Sequence, residues 1–186
     1  MKFDSLAATL LQIHNMKIVL LGYMGSGKST IGKMISKALN FNFLDLDDEI
    51  SVAVGKPIPA IFEERGELFF RKKETEILKK IFSENSNFVL ALGGGTPCYG
   101  VNMDIILKET SHVFYLKLAI PFLIKRLSNE KEQRPLIADI ADEDMPEFLG
   151  KHLFERNQFY AKATHTILVN EKGREQVIDE IQALLP

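Results

Sequence analysis

The scarcities of this chain bound it first. A single cysteine, Cys98, stands among 186 residues. No intramolecular disulfide can form, a cysteine-rich structural zinc site is excluded, and a reducing compartment fits. Neither sign of charge is in surplus: 23 Lys and Arg face 25 Asp and Glu, for a net charge of −2. That balance argues against general nucleic-acid binding and against a polybasic membrane-surface role. Apolar runs such as Ile18 to Leu21 fall far short of the roughly 20 residues that span a bilayer. The stretch Leu6 to Leu11 is too short for a signal core, and Gln12, His14 and Asn15 follow it without a small-residue cleavage site. A cytoplasmic protein is expected. Internal repeats, low-complexity tracts and linkers are lacking too. What remains is a chain 46% apolar and 26% charged, the balance of a folded globular domain large enough to bury a core unaided.

Short apolar runs alternate with helical patterns. Lys17 to Leu21, Phe41 to Leu44, Phe88 to Leu92, Val113 to Leu118 and Thr166 to Val169 read as strands. Lys28 to Leu39 carries Ile31, Met34, Ile35, Ala38 and Leu39 at helical spacing. Further helices are expected over Asp47 to Val54, Pro59 to Phe82, Asp104 to Lys108, Pro121 to Leu127, Glu147 to Ala161 and Arg174 to Leu185. Breaks are expected at Gly55-Lys56-Pro57 and at Gly66. Ser128 to Glu143 loses the pattern and reads as a long surface loop or lid. Strands alternating with helices imply a parallel sheet covered on both faces, with ligands bound beyond the carboxyl ends of the strands. Residues 1–15 form an N-terminal extension to a single domain over 16–186; Phe3, Leu6, Ala7, Leu10 and His14 fall on one helical stripe there.

Gly22-Tyr-Met-Gly-Ser-Gly-Lys-Ser29 matches the phosphate-loop pattern in full, between an apolar strand and an amphipathic helix. Its glycines let backbone N–H groups wrap a polyphosphate at a helix N-terminus. Gly25, Ser26, Gly27, Lys28, Ser29 and Thr30 are the candidate contacts to a nucleoside triphosphate; Lys28 can reach the β- and γ-phosphates, and the Ser29 hydroxyl can ligate Mg2+. Asp45 and Asp47 end the second strand, where alternation turns both carboxylates one way. One suits Mg2+ and the other an acceptor hydroxyl; the competing reading is a helix cap at Asp47 or Asp48. Gly93-Gly94-Gly95 permits close approach to the backbone. Arg71, Arg126, Arg134 and Arg156 are forks for carboxylate or phosphate, with Arg134 in the lid placed to stabilise a transferring phosphoryl group.

The ordered set of the phosphate loop, Asp45-x-Asp47, Phe62 with Gly66-x-x-x-Phe70-Arg71-x-x-Glu74, Leu92-Gly-Gly-Gly95, and Arg134-Pro-Leu followed by Arg156-x-x-x-Tyr160 resembles the shikimate kinase family. The likeness runs from about Lys17 to the C-terminus. It implies transfer of the γ-phosphoryl group of ATP, with Mg2+, to the 3-hydroxyl of shikimate. It implies a three-layer α/β/α fold, a five-stranded parallel sheet in the order 2-3-1-4-5, and a mobile lid. Carried over, Arg71 and Arg156 bind the shikimate carboxylate, Asp47 the ring hydroxyls and Gly93, Gly94 and Gly95 the substrate. Phe62 and Phe70 wall the substrate, and Glu74 orients Arg71. Asp45 and Ser29 hold the metal side, and Arg126 stacks on adenine. Lys28, Asp47 and Arg134 are the catalytic set. Gln158 and Thr164-His165 depart from the family pattern, which usually has proline and Ala-Asp there.

An aspartate normally titrates near 4, and cations nearby are expected to push Asp47 lower still. It therefore reads as an orienting group that takes the proton late. The alternatives are another small phosphate-loop kinase, acting on gluconate or a nucleoside monophosphate, and a nucleotide-binding module without an acceptor. The Asn-Lys-x-Asp of guanine-specific switches is missing. ATP and shikimate are the expected partners, and the size suits a monomer.

Overall fold

The computed structural model describes residues 15–131 and 134–186, so the stripe over residues 3–14 lies outside the described residues. Five parallel strands form one sheet in the order β2-β3-β1-β4-β5. They are β1 (Lys17–Leu21), β2 (Asn42–Asp45), β3 (Phe88–Ala91), β4 (His112–Lys117) and β5 (His165–Leu168). Register puts Val19 opposite Leu90 on one side and Val113 on the other. The central strands are the apolar runs: β3 is buried throughout, and Ile18, Leu20, Leu90, Val113 and Phe114 are fully enclosed. Each such side chain contributes about 1.5–3 kcal/mol. The edge strands β2 and β5 are only partly covered. All five expected strands are present, three of them displaced by one residue.

The helices are α1 (Lys28–Leu39), α2 (Leu46–Val54), α3 (Ile58–Glu84), α4 (Asn102–Glu109), α5 (Ile120–Leu127), α6 (Pro135–Ala138), α7 (Met145–Tyr160) and α8 (Arg174–Gln182). A short 3-10 turn spans Thr96–Cys98. Helix α1 lies over β1, β2 and β3 and packs against α8, which covers β5. Its approach to β2 is close: a methyl group on Gly32 would sit 2.5 Å from the Phe43 ring. Helix α2 ends at Gly55 in the left-handed conformation, as the expected break there requires.

The break at Gly66 is also real, with φ 74° and ψ 172° inside α3. It has a function in the packing. Phe62 and Phe70 are eight residues apart, a rise of about 12 Å on a straight helix, yet their ring centres are 4.6 Å apart. The kink folds them together.

The described part of the segment expected to be a lid is more structured than a loop. Arg134 precedes α6, whose Ile137 is fully buried in the core, and Lys131 pairs with Asp142 at 2.7 Å across the segment. The missing periodicity reflects the shortness of α6, a single turn of four residues. Among the described residues, no helix is long and apolar enough to cross a membrane.

Candidate active site

Three segments meet at the carboxyl ends of β1, β2 and β3: the loop after β1, the β2–α2 junction and the glycines after β3. Between them lies a cavity of about 270 Å3, lined by Met24, Gly25, Gly27, Lys28, Ser29, Thr30, Asp45, Asp47, Leu92, Gly93, Gly94, Glu130 and Arg134. A larger depression of about 460 Å3 lies near Phe122, Leu168, Asn170 and Lys172. It is shallow and gathers no comparable set of converging charges, so the chemistry belongs to the smaller cavity.

In the phosphate loop Gly25 and Gly27 take φ of 78° and 97°, a region other residues enter at a cost. Gly27 precedes α1 with no side-chain cap and no acidic residue in the first turn. The first N–H groups and the positive end of the helix dipole are thus free for an anion. Lys28 donates to the carbonyls of Gly22 at 2.9 Å and Tyr23 at 3.0 Å. Desolvation pushes its ammonium down to about 8, and Asp47 and Asp45 oppose that shift only in part. Ser26 is placed differently from the expected phosphate contacts. Its N–H closes the loop onto Tyr23 O, and its hydroxyl is buried with no partner among the described residues, facing Gly22. It shapes the loop from within.

Asp45 and Asp47 both reach the cavity, but not by strand alternation. Asp45 is the last strand residue and the cap of α2: it accepts from the Asp47 N–H at 3.2 Å. Asp47 therefore stands in the first turn of a helix. The cap and the site are one residue, Asp45, which the competing cap reading had put at Asp47 or Asp48. The second Asp45 oxygen accepts from the Ser29 hydroxyl at 2.7 Å. The ionisation of Asp47 runs opposite to expectation. Burial, then the carboxylates of Asp45 and Glu74, push it up to about 6, and Lys28 and Arg71 fail to cancel this.

The glycine triplet admits the site's own side chains. A methyl group on Gly93 would stand 2.9 Å from Asp47 Oδ1, and one on Gly95 would stand 3.0 Å from Arg71 Nη2. At Gly94 a methyl group would meet the Met24 backbone N at 3.5 Å and, as its nearest side-chain atom, Arg156 Nη1 at 3.7 Å, both ordinary contacts. Asp47, Arg156 and Arg71 thus line up along three consecutive residues. The Tyr160 hydroxyl donates to Gly94 O at 2.5 Å and holds the strip in place.

Arg71 is caged. Its Nη1 donates to both oxygens of Glu74, at 3.2 and 3.1 Å, and its Nε to Glu67 at 3.3 Å. Its guanidinium stacks 3.8 Å from the Tyr99 ring centre, and the Tyr99 hydroxyl donates to Glu67 at 2.7 Å. Glu74, 1% exposed, stays behind Arg71 and does not reach the cavity. It also accepts from the Thr96 hydroxyl at 2.6 Å. Arg156 lies 5.4 Å from the Tyr23 ring centre. Arg126, on α5, donates to Gly25 O at 3.2 Å, against the phosphate loop. Arg134 lines the cavity with its Nε on Glu130 at 3.0 Å. Gln158 is exposed on α7, and His165 stacks on Phe114 with ring centres 5.0 Å apart, so both departures from the family pattern are packing details. Burial pushes the half-buried Cys98 thiol up to about 11.

Sequence reasoning missed Glu67, Thr96, Tyr99, Asn102, Glu130 and His152. Thr96 could have been suspected, since it directly follows the glycines. Glu67, Glu130 and His152 each stand one helical turn before a flagged arginine, a spacing that could have suggested them; Tyr99 and Asn102 carry no such signal.

The family model described as shikimate kinase matches residues 24–186. The chain belongs to the shikimate kinase family. It is 44% identical over 169 residues to the shikimate kinase of Flavobacterium psychrophilum, which covers 91% of this chain and 98% of that one. Among solved structures it is similar to the shikimate kinase of Bacteroides thetaiotaomicron, with a TM-score of 0.82 at 34% identity over 91% of this chain and 96% of that one. It is also similar to a shikimate kinase from Acinetobacter baumannii in complex with shikimate, with a TM-score of 0.80 at 32% identity over 95% and 94% of the two chains.

Proposed function

We propose that this chain transfers the γ-phosphoryl group of ATP to the 3-hydroxyl of shikimate, giving shikimate 3-phosphate and ADP. The observation that carries this reading is the strip of Asp47, Arg156 and Arg71 along Gly93–Gly95, one charged side chain per glycine, beside the phosphate loop. Two guanidinium forks and a carboxylate spaced like this suit a small ring with a carboxylate at one end and hydroxyls at the other. A nucleoside monophosphate has no carboxylate for the forks; gluconate has both carboxylate and hydroxyls, and it is membership of the shikimate kinase family that favours shikimate over it.

ATP binds with its phosphates on the N–H groups of the loop and the N-terminus of α1. Lys28 exchanges its two carbonyl partners for the β- and γ-phosphates, and Arg134 exchanges Glu130 for the transferring group. Arg126 marks the path toward the adenine, one turn along α5 from Phe122 in the shallow depression. The Ser29 hydroxyl and the Asp45 carboxylate, both hard oxygens at the loop, fit Mg2+. When bound, the ion neutralises charge on the phosphates. Arg71 and Arg156 hold the shikimate carboxylate, while Phe62 and Phe70 wall the ring. Asp47 orients the 3-hydroxyl and accepts its proton as the bond to phosphorus forms. With its ionisation near 6, Asp47 is a better acceptor than an ordinary aspartate, yet far weaker than an alkoxide. Phosphoryl transfer has a loose transition state, so positioning and charge neutralisation supply most of the rate. Closure of the segment around α6 keeps water from the γ-phosphate.

The reading extends to a cytoplasmic monomer that needs neither nucleic acid nor membrane, supported by the balanced charge, the single cysteine and the size of the chain. It treats residues 16–186 as the kinase domain, with a lid at about 128–143 and an extension over 1–15. The test is ADP release from MgATP with shikimate, gluconate, AMP, CMP or no acceptor. Turnover with shikimate alone is the expected result. Turnover with AMP or CMP discards the carboxylate clamp, turnover with gluconate instead of shikimate discards the ring acceptor, and silence with every acceptor alongside tight ATP binding discards the kinase.

A further inference from the structure

The two guanidiniums of the clamp are held by different means. Arg71 is fixed by carboxylates in front and behind. Arg156 makes no ion pair among the described residues, and the Tyr23 ring is the surface on which it rests. That ring is itself fixed, for Tyr23 is 2% exposed. Its hydroxyl meets His152 Nδ1 at 3.1 Å. His152 lies one turn before Arg156 on α7, so the two side chains share a helix face. The imidazole also packs on Phe148, a further turn back, with ring centres 4.3 Å apart. Meanwhile the Tyr23 carbonyl accepts from Lys28 at 3.0 Å. One residue of the phosphate loop thus touches the lysine through its main chain and the arginine through its ring.

We propose that Tyr23 and His152 are positioning residues for the acceptor clamp: their hydrogen bond fastens α7 to the phosphate loop and so aims Arg156 at the acceptor carboxylate. The inference rests on the function proposed above, in which Arg156 takes that carboxylate. Neither residue touches the reacting atoms. Without the bond, the turn of α7 that carries Arg156 loses its tie to the loop. The guanidinium then keeps its charge but loses its direction, and a bidentate fork depends on direction. The loss therefore falls on shikimate binding and spares the nucleotide.

The experiment measures KM for shikimate and for ATP in His152→Leu, His152→Asn, Tyr23→Phe and the double variant Tyr23→Phe/His152→Leu, with Arg156→Lys as the reference. One hydrogen bond is expected to move the shikimate KM about fivefold in each of the first and third, with the ATP KM moving less than that. The double variant should match the singles, because both remove the same bond. His152→Asn, which keeps a polar group near Nδ1, should restore most of the loss. Tyr23→Phe is nearly isosteric and keeps the test open should His152→Leu fold poorly. An unchanged shikimate KM in the two single variants, equal rises in both KM values, or an additive double variant overturns the proposal. If Arg156→Lys raises the shikimate KM while the Tyr23 and His152 variants do not, this inference alone falls. If Arg156→Lys has no effect, the clamp assignment beneath it falls instead.

Discussion

Asp47→Asn should stabilise the fold at neutral pH while disabling the enzyme. Folding raises the Asp47 carboxyl from 3.8 to about 6, chiefly by burial. At 1.36 kcal/mol per pH unit, that is a penalty of roughly 3 kcal/mol for holding the charge in the folded protein. The asparagine removes it. That figure already contains the attraction of Lys28 and Arg71. The polar atoms of the buried amide must still find partners, so the net gain is smaller, about 1–2 kcal/mol. In a chain of this size each kcal/mol is worth about 2–4 °C, so Tm should rise by about 2–8 °C.

The pH dependence separates this account from a generic stabilising substitution. Folded Asp47 holds its proton more tightly than unfolded Asp47. Above pH 6 it is charged in both states, and the whole penalty applies. Below 3.8 it is neutral in both, and the penalty is gone. The advantage of the asparagine is thus full above pH 6 and fades as the pH falls toward 4. Thermal unfolding of the ligand-free proteins followed by circular dichroism across that range measures it, and ADP release measures the accompanying loss of turnover, about 100-fold or more. A Tm that falls on substitution at neutral pH, or a gain that is the same at pH 4 and pH 7.5, would refute the assignment of a buried, charged carboxylate.

Arg71→Lys should raise the shikimate KM at least tenfold and leave the ATP KM nearly unchanged, because a lysine cannot make the fork; equal effects in the coupled ADP assay would contradict a carboxylate contact. Glu74→Ala leaves the Arg71 guanidinium without its buried partner and strands the Thr96 hydroxyl. It should cost about 3–5 kcal/mol in urea unfolding, and a loss below 1 kcal/mol would show the cage to be dispensable. Gly32→Ala forces the Phe43 ring off α1, from a contact of 2.5 Å. A cost of about 1–3 kcal/mol is expected from overpacking, read as a lower urea midpoint with unchanged KM values.

The parts of the fold written in local pattern were legible. Three adjacent apolar runs gave the buried strands, and Gly55 and Gly66 marked real breaks in the helices. Strand order was reached only through family resemblance, because periodicity carries no information on which strands pair. The acidic pair was legible as a pair and misread as geometry. A strand that ends at Asp45 and a helix that begins at Leu46 leave no room for alternation. The ionisation of Asp47 was misread for a different reason. The cations that lower it are visible in the motifs, but burial, the larger effect, exists only once the chain has folded. Contacts such as Tyr23 to His152 join residues 129 positions apart, and no local signal predicts them.

Arg71, Lys28 and Arg134 each have a hydrogen-bonding partner already, and the partners differ in what binding can do with them. Glu74 is fully enclosed and bonded from two sides, so Arg71 keeps it whatever enters the site. The acceptor fork is thus set before shikimate arrives, and little reorganisation accompanies its binding. Glu130 is a half-exposed neighbour one turn away, and the carbonyls of Gly22 and Tyr23 can return to the solvent or to the loop. Lys28 and Arg134 can trade those partners for phosphate oxygens, which carry more charge. In the proposed assignment, the rigid half of the site recognises the acceptor and the exchanging half responds to ATP. Positive charge moves onto the γ-phosphate only when that phosphate is present, so charge stabilisation is directed to the state in which transfer occurs.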